Sequence, residues 1–187
     1  VTLEQAANLV ISGTAGPVIA PGNLGAASVS FPVNSRTDTL PTTFEYDPSD
    51  FLGNFAGTIE HSGSVLFNSD AIEVGDFTIG FDVARAAGQA SGFFVESTVG
   101  IQEILFDIAN PAVDATDNDL EIGADLLVSP EFAQVLIDVS LTSSNLTGAD
   151  VGDALVQATV PEPTSGCLAA IAMASWAVRR KRVAVDC

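Results

Sequence analysis

Between residues 26 and 160 the sequence is cut by Gly, Asn, Asp and Pro into short stretches that are apolar or alternate apolar with polar. They read AASVSFPVN (26–34), TTFEY (42–46), NFAGTIEH (54–61), SVLFN (64–68), DFTIGFDV (76–83), SGFFVEST (91–98), QEILFDI (102–108), LEIGADLLVS (120–129) and GDALVQATV (152–160). Few folds accept this punctuation. Runs of this length, recurring every 8–15 residues or so, predict the strands of an antiparallel sandwich or barrel (~8–15 residue spacing). In TIGFDV and TIEH polar and apolar residues alternate, as expected where one sheet face meets water. All eleven Phe residues fall in this body. A ring with a large apolar area and no polar group to satisfy belongs in a core.

The expected architecture is therefore all-β: an antiparallel, jelly-roll-like β-sandwich over residues 1–160, with a separate C-terminal segment over 161–187. At 187 residues the chain is long enough for one well-packed domain. One short helix is expected at 130–137. Ser129 is placed as N-cap, Pro130 takes the first helical position, Glu131 lies near the positive helix end, and Phe132, Val135 and Leu136 share a face. Leu3 to Val10 is a second, weaker helical stretch. No repeat of fixed period is present.

Charge divides the chain at the same boundary. Residues 1–160 carry 22 acidic side chains against Arg36 and Arg85, a balance of −20, whereas the last 27 residues carry a balance of +2. Phosphate backbones and anionic headgroups bind through clustered Lys and Arg, so the body is no nucleic-acid binder. Its oxygens suit hard divalent cations. Both cysteines, Cys167 and Cys187, lie after the boundary, which leaves the body no disulfide and no Cys/His metal spacing. Val1 to Ile11 has neither a basic start nor an unbroken apolar core, so no signal peptide is visible. If the protein is exported, its leader is expected upstream of this numbering.

The final segment reads VPEPTSGCLAAIAMASWAVRRKR (160–182). Gly166 to Val178 are thirteen uncharged residues. As a helix they would run about 20 Å, against about 30 Å of bilayer hydrocarbon. That length also suits a core helix, and a permanent anchor is a further reading. The flanks decide more. Pro161 and Pro163 break regular structure ahead of the run, and Arg179, Arg180, Lys181 and Arg182 close it. Positive residues stay on the cytoplasmic side, so the acidic body would face outward.

The order Pro161, Glu162, Pro163, Thr164, Ser165, then the apolar run, then the basic cluster, resembles the PEP-CTERM sorting signal of bacteria that make exosortase. This resemblance implies export and passage through the inner membrane by way of 166–178. It also implies recognition at Pro-Glu-Pro by exosortase, a membrane protease or transpeptidase. VAVDC follows the basic cluster, where many members stop. More loosely, SGFFVEST, LFDIANP, LEIGADLLVSPEFAQVLI and LTGADVGDALVQATV look like the ectodomain of a recurring group of bacterial PEP-CTERM proteins. That likeness implies no activity.

Within the body the densest polar stretch is DATDNDLE, with Asp114, Asp117, Asn118, Asp119 and Glu121. Carboxylate and amide oxygens in one loop suit Ca²⁺, although the spacing is not that of an EF-hand. A solvated hairpin loop explains the same residues. Asp150 and Asp153 read as turn residues. His61, the lone histidine, has Ser62 and Ser64 nearby but no G-x-S-x-G elbow. Tyr46 is the body's single candidate sugar platform, since Trp176 lies in the tail. Asn145-Leu146-Thr147 fits a glycosylation sequon. The leading expectation is an exported, non-enzymatic envelope or matrix protein requiring no cofactor. A calcium-dependent carbohydrate-binding module, engaging extracellular polysaccharide, and a secreted hydrolase are the alternatives.

Overall fold

A computed structural model describes residues 2–26, 28–51 and 53–159. The sorting-like motif at 161–165, the apolar run at 166–178 and the basic cluster at 179–182 lie outside the described residues. In chain order the elements are α1 (Leu3–Ala7), β1 (Ile11–Ala15), β2 (Glu45–Tyr46), β3 (Phe55–Ala56), β4 (Ile59–Glu60), β5 (Ser64–Phe67) and β6 (Ile72–Phe81). Then come a 3-10 turn (Val83–Arg85), β7 (Ala90–Gly100), β8 (Ile104–Ala115), β9 (Asp119–Val128), α2 (Pro130–Asp138) and β10 (Asp150–Thr159).

The expectation of a mostly β, antiparallel body holds, but its strands are not dealt into two stacked sheets. Eight of them form one curled antiparallel sheet in the order β1-β5-β6-β7-β8-β9-β10, with β4 also pairing β6, and only β2 and β3 form a separate ribbon. The physical reason lies in the connections. From β5 to β9 each strand turns directly into its neighbour, so long cross-sheet connections of the jelly-roll kind do not arise. Gly100 shows how tight these turns are: its φ is +67°, and a Cβ there would lie 2.1 Å from the Glu73 carbonyl oxygen. Only glycine adopts that conformation in that space.

Two lids cover the sheet. α2 starts where its sequence signals place it, with the Phe132 N–H donating to the Ser129 hydroxyl at 2.9 Å. Its buried residues Phe132, Ala133 and Leu136 pack with Val74, Leu105 and Val128, and with Ala7 and Leu9 from the N-terminus. Burying the Phe and Leu side chains contributes about 1.5–3 kcal/mol each. The other lid is the β2–β3 ribbon, whose Phe44, Phe51 and Phe55 close over Ile59, Phe93, Ile108 and Leu120. Phe55 meets Phe81 and Phe93 at centroid distances of 4.9 and 5.0 Å. Even-numbered residues of β9, from Leu120 to Val128, share one face. Leu120, Ile122, Ala124 and Leu126 belong under the ribbon and Val128 under α2, so one strand face serves both lids.

Several local expectations need correction. Among the described residues, 26–34 contribute only isolated bridges, Ile19 with Ser30 and Val33 with His61, and Pro32 within the run has no N–H to offer a ladder. The N-terminal helix stops at Ala7, where Asn8 turns left-handed at φ +52°. Ile11–Ala15 forms a strand against β5. Asp153, read as a turn residue, lies inside β10 opposite Asp125, because pairing to β9 outweighs the local turn preference. Among the described residues no helix is long and apolar enough to cross a membrane.

Candidate functional site

The acidic stretch and the last residue of β10 meet at one end of the sheet. DATDNDLE forms the β8–β9 hairpin, closed by the Thr116 N–H donating to the Asp119 carbonyl at 2.8 Å. The Thr116 hydroxyl accepts from the backbone N–H of Asn118 and of Asp119, at 3.3 and 2.9 Å. Asp117 and Asn118 are thus an exposed two-residue tip. On the other side of β9, Asp119 is the register partner of Thr159, the last residue of β10. The last described strand therefore ends beside the acidic hairpin.

Register also aligns a polar row across three strands: Asp114 faces Glu121, and Glu121 faces Gln157. The Gln157 amide donates to Glu121 at 2.8 Å, and Asn23 donates to the Gln157 carbonyl oxygen at 2.6 Å. Asp114, Thr116, Asp119, Glu121, Gln157 and Thr159 line an open groove of about 440 Å³. Asp114, Asp117, Asn118, Asp119 and Glu121 all stay exposed. Among the described residues no three His, Cys, Asp or Glu side chains gather as a metal cage. The hairpin spreads its carboxylates along and across strands, and one Glu121 oxygen is already occupied by an amide.

Sequence reasoning missed the side chain that holds this end together. Tyr46, weighed only as a sugar platform, packs its ring near Phe44 and Phe51. Its hydroxyl donates to the Thr116 carbonyl at 2.8 Å. Burial, reinforced by the charges of Asp119 and Asp117, pushes its pKa above the ordinary tyrosine value. A lone tyrosine inside a phenylalanine-rich stretch is a usable signal, since a buried phenol needs a polar partner.

The remaining sequence candidates are structurally engaged. The His61 ring nitrogen Nδ1 lies 3.3 Å from the Phe77 carbonyl, and burial pushes the imidazole below its usual value. Ser62 donates to Asn34 and Ser64 to Glu73, each at 2.6 Å, so neither hydroxyl is turned to His61. Asn145 accepts from the Thr147 N–H at 2.9 Å in a local turn.

No curated protein and no solved structure matches the chain. A family model does, over residues 159–182: the PEP-CTERM protein-sorting motif. The match begins at the last residue of β10. The chain carries a PEP-CTERM protein-sorting motif directly after its last described strand, and that motif implies export to the cell envelope and exosortase-dependent processing.

Proposed function

We propose that this chain is a non-enzymatic β-protein of the cell envelope or extracellular matrix, carried to the inner membrane by residues 166–178 and released by processing near Pro161–Pro163. The boundary carries the reading. Among the described residues Thr159 is the last one paired in the sheet, and Pro161 opens the motif, so removal of the segment would leave every described strand in place. The body's −20 balance supports an outward position, and the basic cluster Arg179–Arg182 supports an inward one. The engagement of His61, Ser62 and Ser64 supports a non-catalytic body.

Mass spectrometry of the protein recovered from its native host tests this. The expected product ends between Val160 and the apolar run and is found outside the inner membrane. A chain intact to Cys187 and resident in the inner membrane would overturn the reading.

A further inference from the structure

We infer that β10 is an interaction edge that pairs, antiparallel and about a two-fold axis, with β10 of a second copy of this chain. The hydrogen-bond phase of the sheet leads there. The bonded pair Thr116–Asp119 sets the alternation, so the next bonded pairs of β8 and β9 are Asp114–Glu121 and Ala112–Gly123. Leu120, Ile122 and Ala124 must then turn their backbone to β10, where they face Ala158, Val156 and Ala154. The backbone groups of Asp153, Leu155, Gln157 and Thr159 are left pointing out of the sheet. Among the described residues none of them takes a backbone partner on that side.

Edges of soluble proteins are blunted by Pro, Lys, bulges or shortness. The opposite edge, β1, is five residues long and carries a register shift. β10 has ten residues, contains neither Pro nor Lys, and is regular after a single shift at Asp150/Gly152.

A second copy fits because β10 complements itself where the rest of the acidic surface does not. With the axis at Leu155, Leu155 faces itself, Ala154 faces Val156, and Asp153 faces Gln157. Within its own sheet Asp153 stands directly opposite Asp125, a like-charge pair that destabilises. Asn110 donates to Asp125 at 2.9 Å, whereas Asp153 accepts no hydrogen bond among the described residues. Gln157 supplies one. Asn23 occupies its oxygen and Glu121 takes one amide hydrogen, leaving the second for Asp153 of the other copy. On the opposite face Ala154 and Val156 line the apolar interior beneath the ribbon, and pairing extends that floor across the axis.

The test uses the full-length chain in detergent solution. In a Cys167→Ser, Cys187→Ser background, Leu155→Cys is expected to form a disulfide-linked dimer under mild oxidant. A bonded antiparallel pair sets its Cα atoms about 5.5 Å apart, inside disulfide range. Thr98→Cys, exposed on central strand β7, is expected to stay monomeric, and equal cross-linking at both positions would overturn the proposal.

Sedimentation of the native chain is expected to show a concentration-dependent dimer. Leu155→Pro removes an outward N–H without touching the β9 ladder, and is expected to weaken dimerisation at least ~10-fold with the circular dichroism unchanged. Leu155→Lys, which leaves the backbone intact and sets two ammonium groups against each other on the axis, is expected to do the same. A native chain that stays monomeric, or variants that dimerise as well as it does, would overturn the inference.

Discussion

The two ends of the sheet handle charge in opposite ways. At the α2 end, Arg85 is held by two carboxylates: its Nε donates to Asp107 at 2.7 Å, and its two terminal nitrogens form a fork on Glu131 at 2.7 and 2.9 Å. Arg85 and Asp107 side chains are each 14% exposed, so this is an interior network with a packed lid beside it. Its guanidinium also lies 5.9 Å from the Phe94 ring centroid. At the hairpin end, Asp114, Asp117, Asp119 and Glu121 have no cation among them and stay exposed, and the ties are the Tyr46 hydroxyl on the Thr116 carbonyl and the Gln157 amide on Glu121. A body with only Arg36 and Arg85 for cations cannot neutralise 22 acids in pairs. It compensates charge around Arg85 and leaves the hairpin carboxylates exposed to solvent.

That contrast can be broken experimentally, most severely in the α2 lid. Leu136 is fully buried, and Leu136→Ala is expected to cost about 2–5 kcal/mol in urea unfolding. A loss below about 1 kcal/mol would show the lid to be a loosely held cover.

Arg85→Met is the next largest. It leaves Asp107 and Glu131 without their cation, with an expected cost of about 2–3 kcal/mol, below the usual range for a fully buried pair because Glu131 is 36% exposed. The pH profile identifies the cause. The hydrogen bonds from Arg85 hold the Glu131 carboxyl below its ordinary value. Its contribution is therefore present above about pH 4.5 and lost as pH falls through the lower folded value. Arg85→Met is expected to flatten that acid-side slope of Tm, and an unchanged slope would remove the ion network from the account.

At the other end, Tyr46→Phe deletes one hydrogen bond and is expected to cost about 1 kcal/mol. The folded pKa of Tyr46 is raised, so its contribution is complete below about pH 10 and declines as pH rises through the folded value. Melting curves above pH 10 should drop more steeply for the native chain than for Tyr46→Phe (about pH 10 being the ordinary phenol value). Parallel curves would mean that the phenol does not anchor the hairpin.

Smallest of all, the solvated carboxylates are expected to respond only to screening. NaCl and CaCl₂ at equal ionic strength should move Tm alike. A larger rise with CaCl₂, abolished by Asp117→Asn and Asp119→Asn, would instead turn this end into a cation site.

Legibility in the sequence followed the range of the interaction. The helix at Pro130 was readable to within one residue of its end, since Ser129, Pro130 and the spacing of Phe132, Val135 and Leu136 all act within a turn or two. Strand positions were readable from alternation, but their ends were not: QEILFDI (102–108) extends to Ala115 through a register shift at Asn110-Pro111, where local signals pointed to a break. Pro111 is tolerated because a bulge does not require its missing N–H. At the candidate site the acidic residues were visible, whereas Tyr46, Asn23 and Gln157 were not. Tyr46 reaches Thr116 across 70 positions and Asn23 reaches Gln157 across 134, separations that no local pattern encodes.

By itself the sequence determined the β-rich class, the capped helix, the acidic body and the sorting motif, because periodicity, capping and charge order are properties of neighbouring residues. Tertiary structure alone decided that eight strands share one curled sheet, that Arg85 joins Asp107 to Glu131, and that Thr159 lies beside Asp119 with β10 as the outermost described strand. Those outcomes follow from strand register and hairpin connection, and register is selected only when distant faces are buried together.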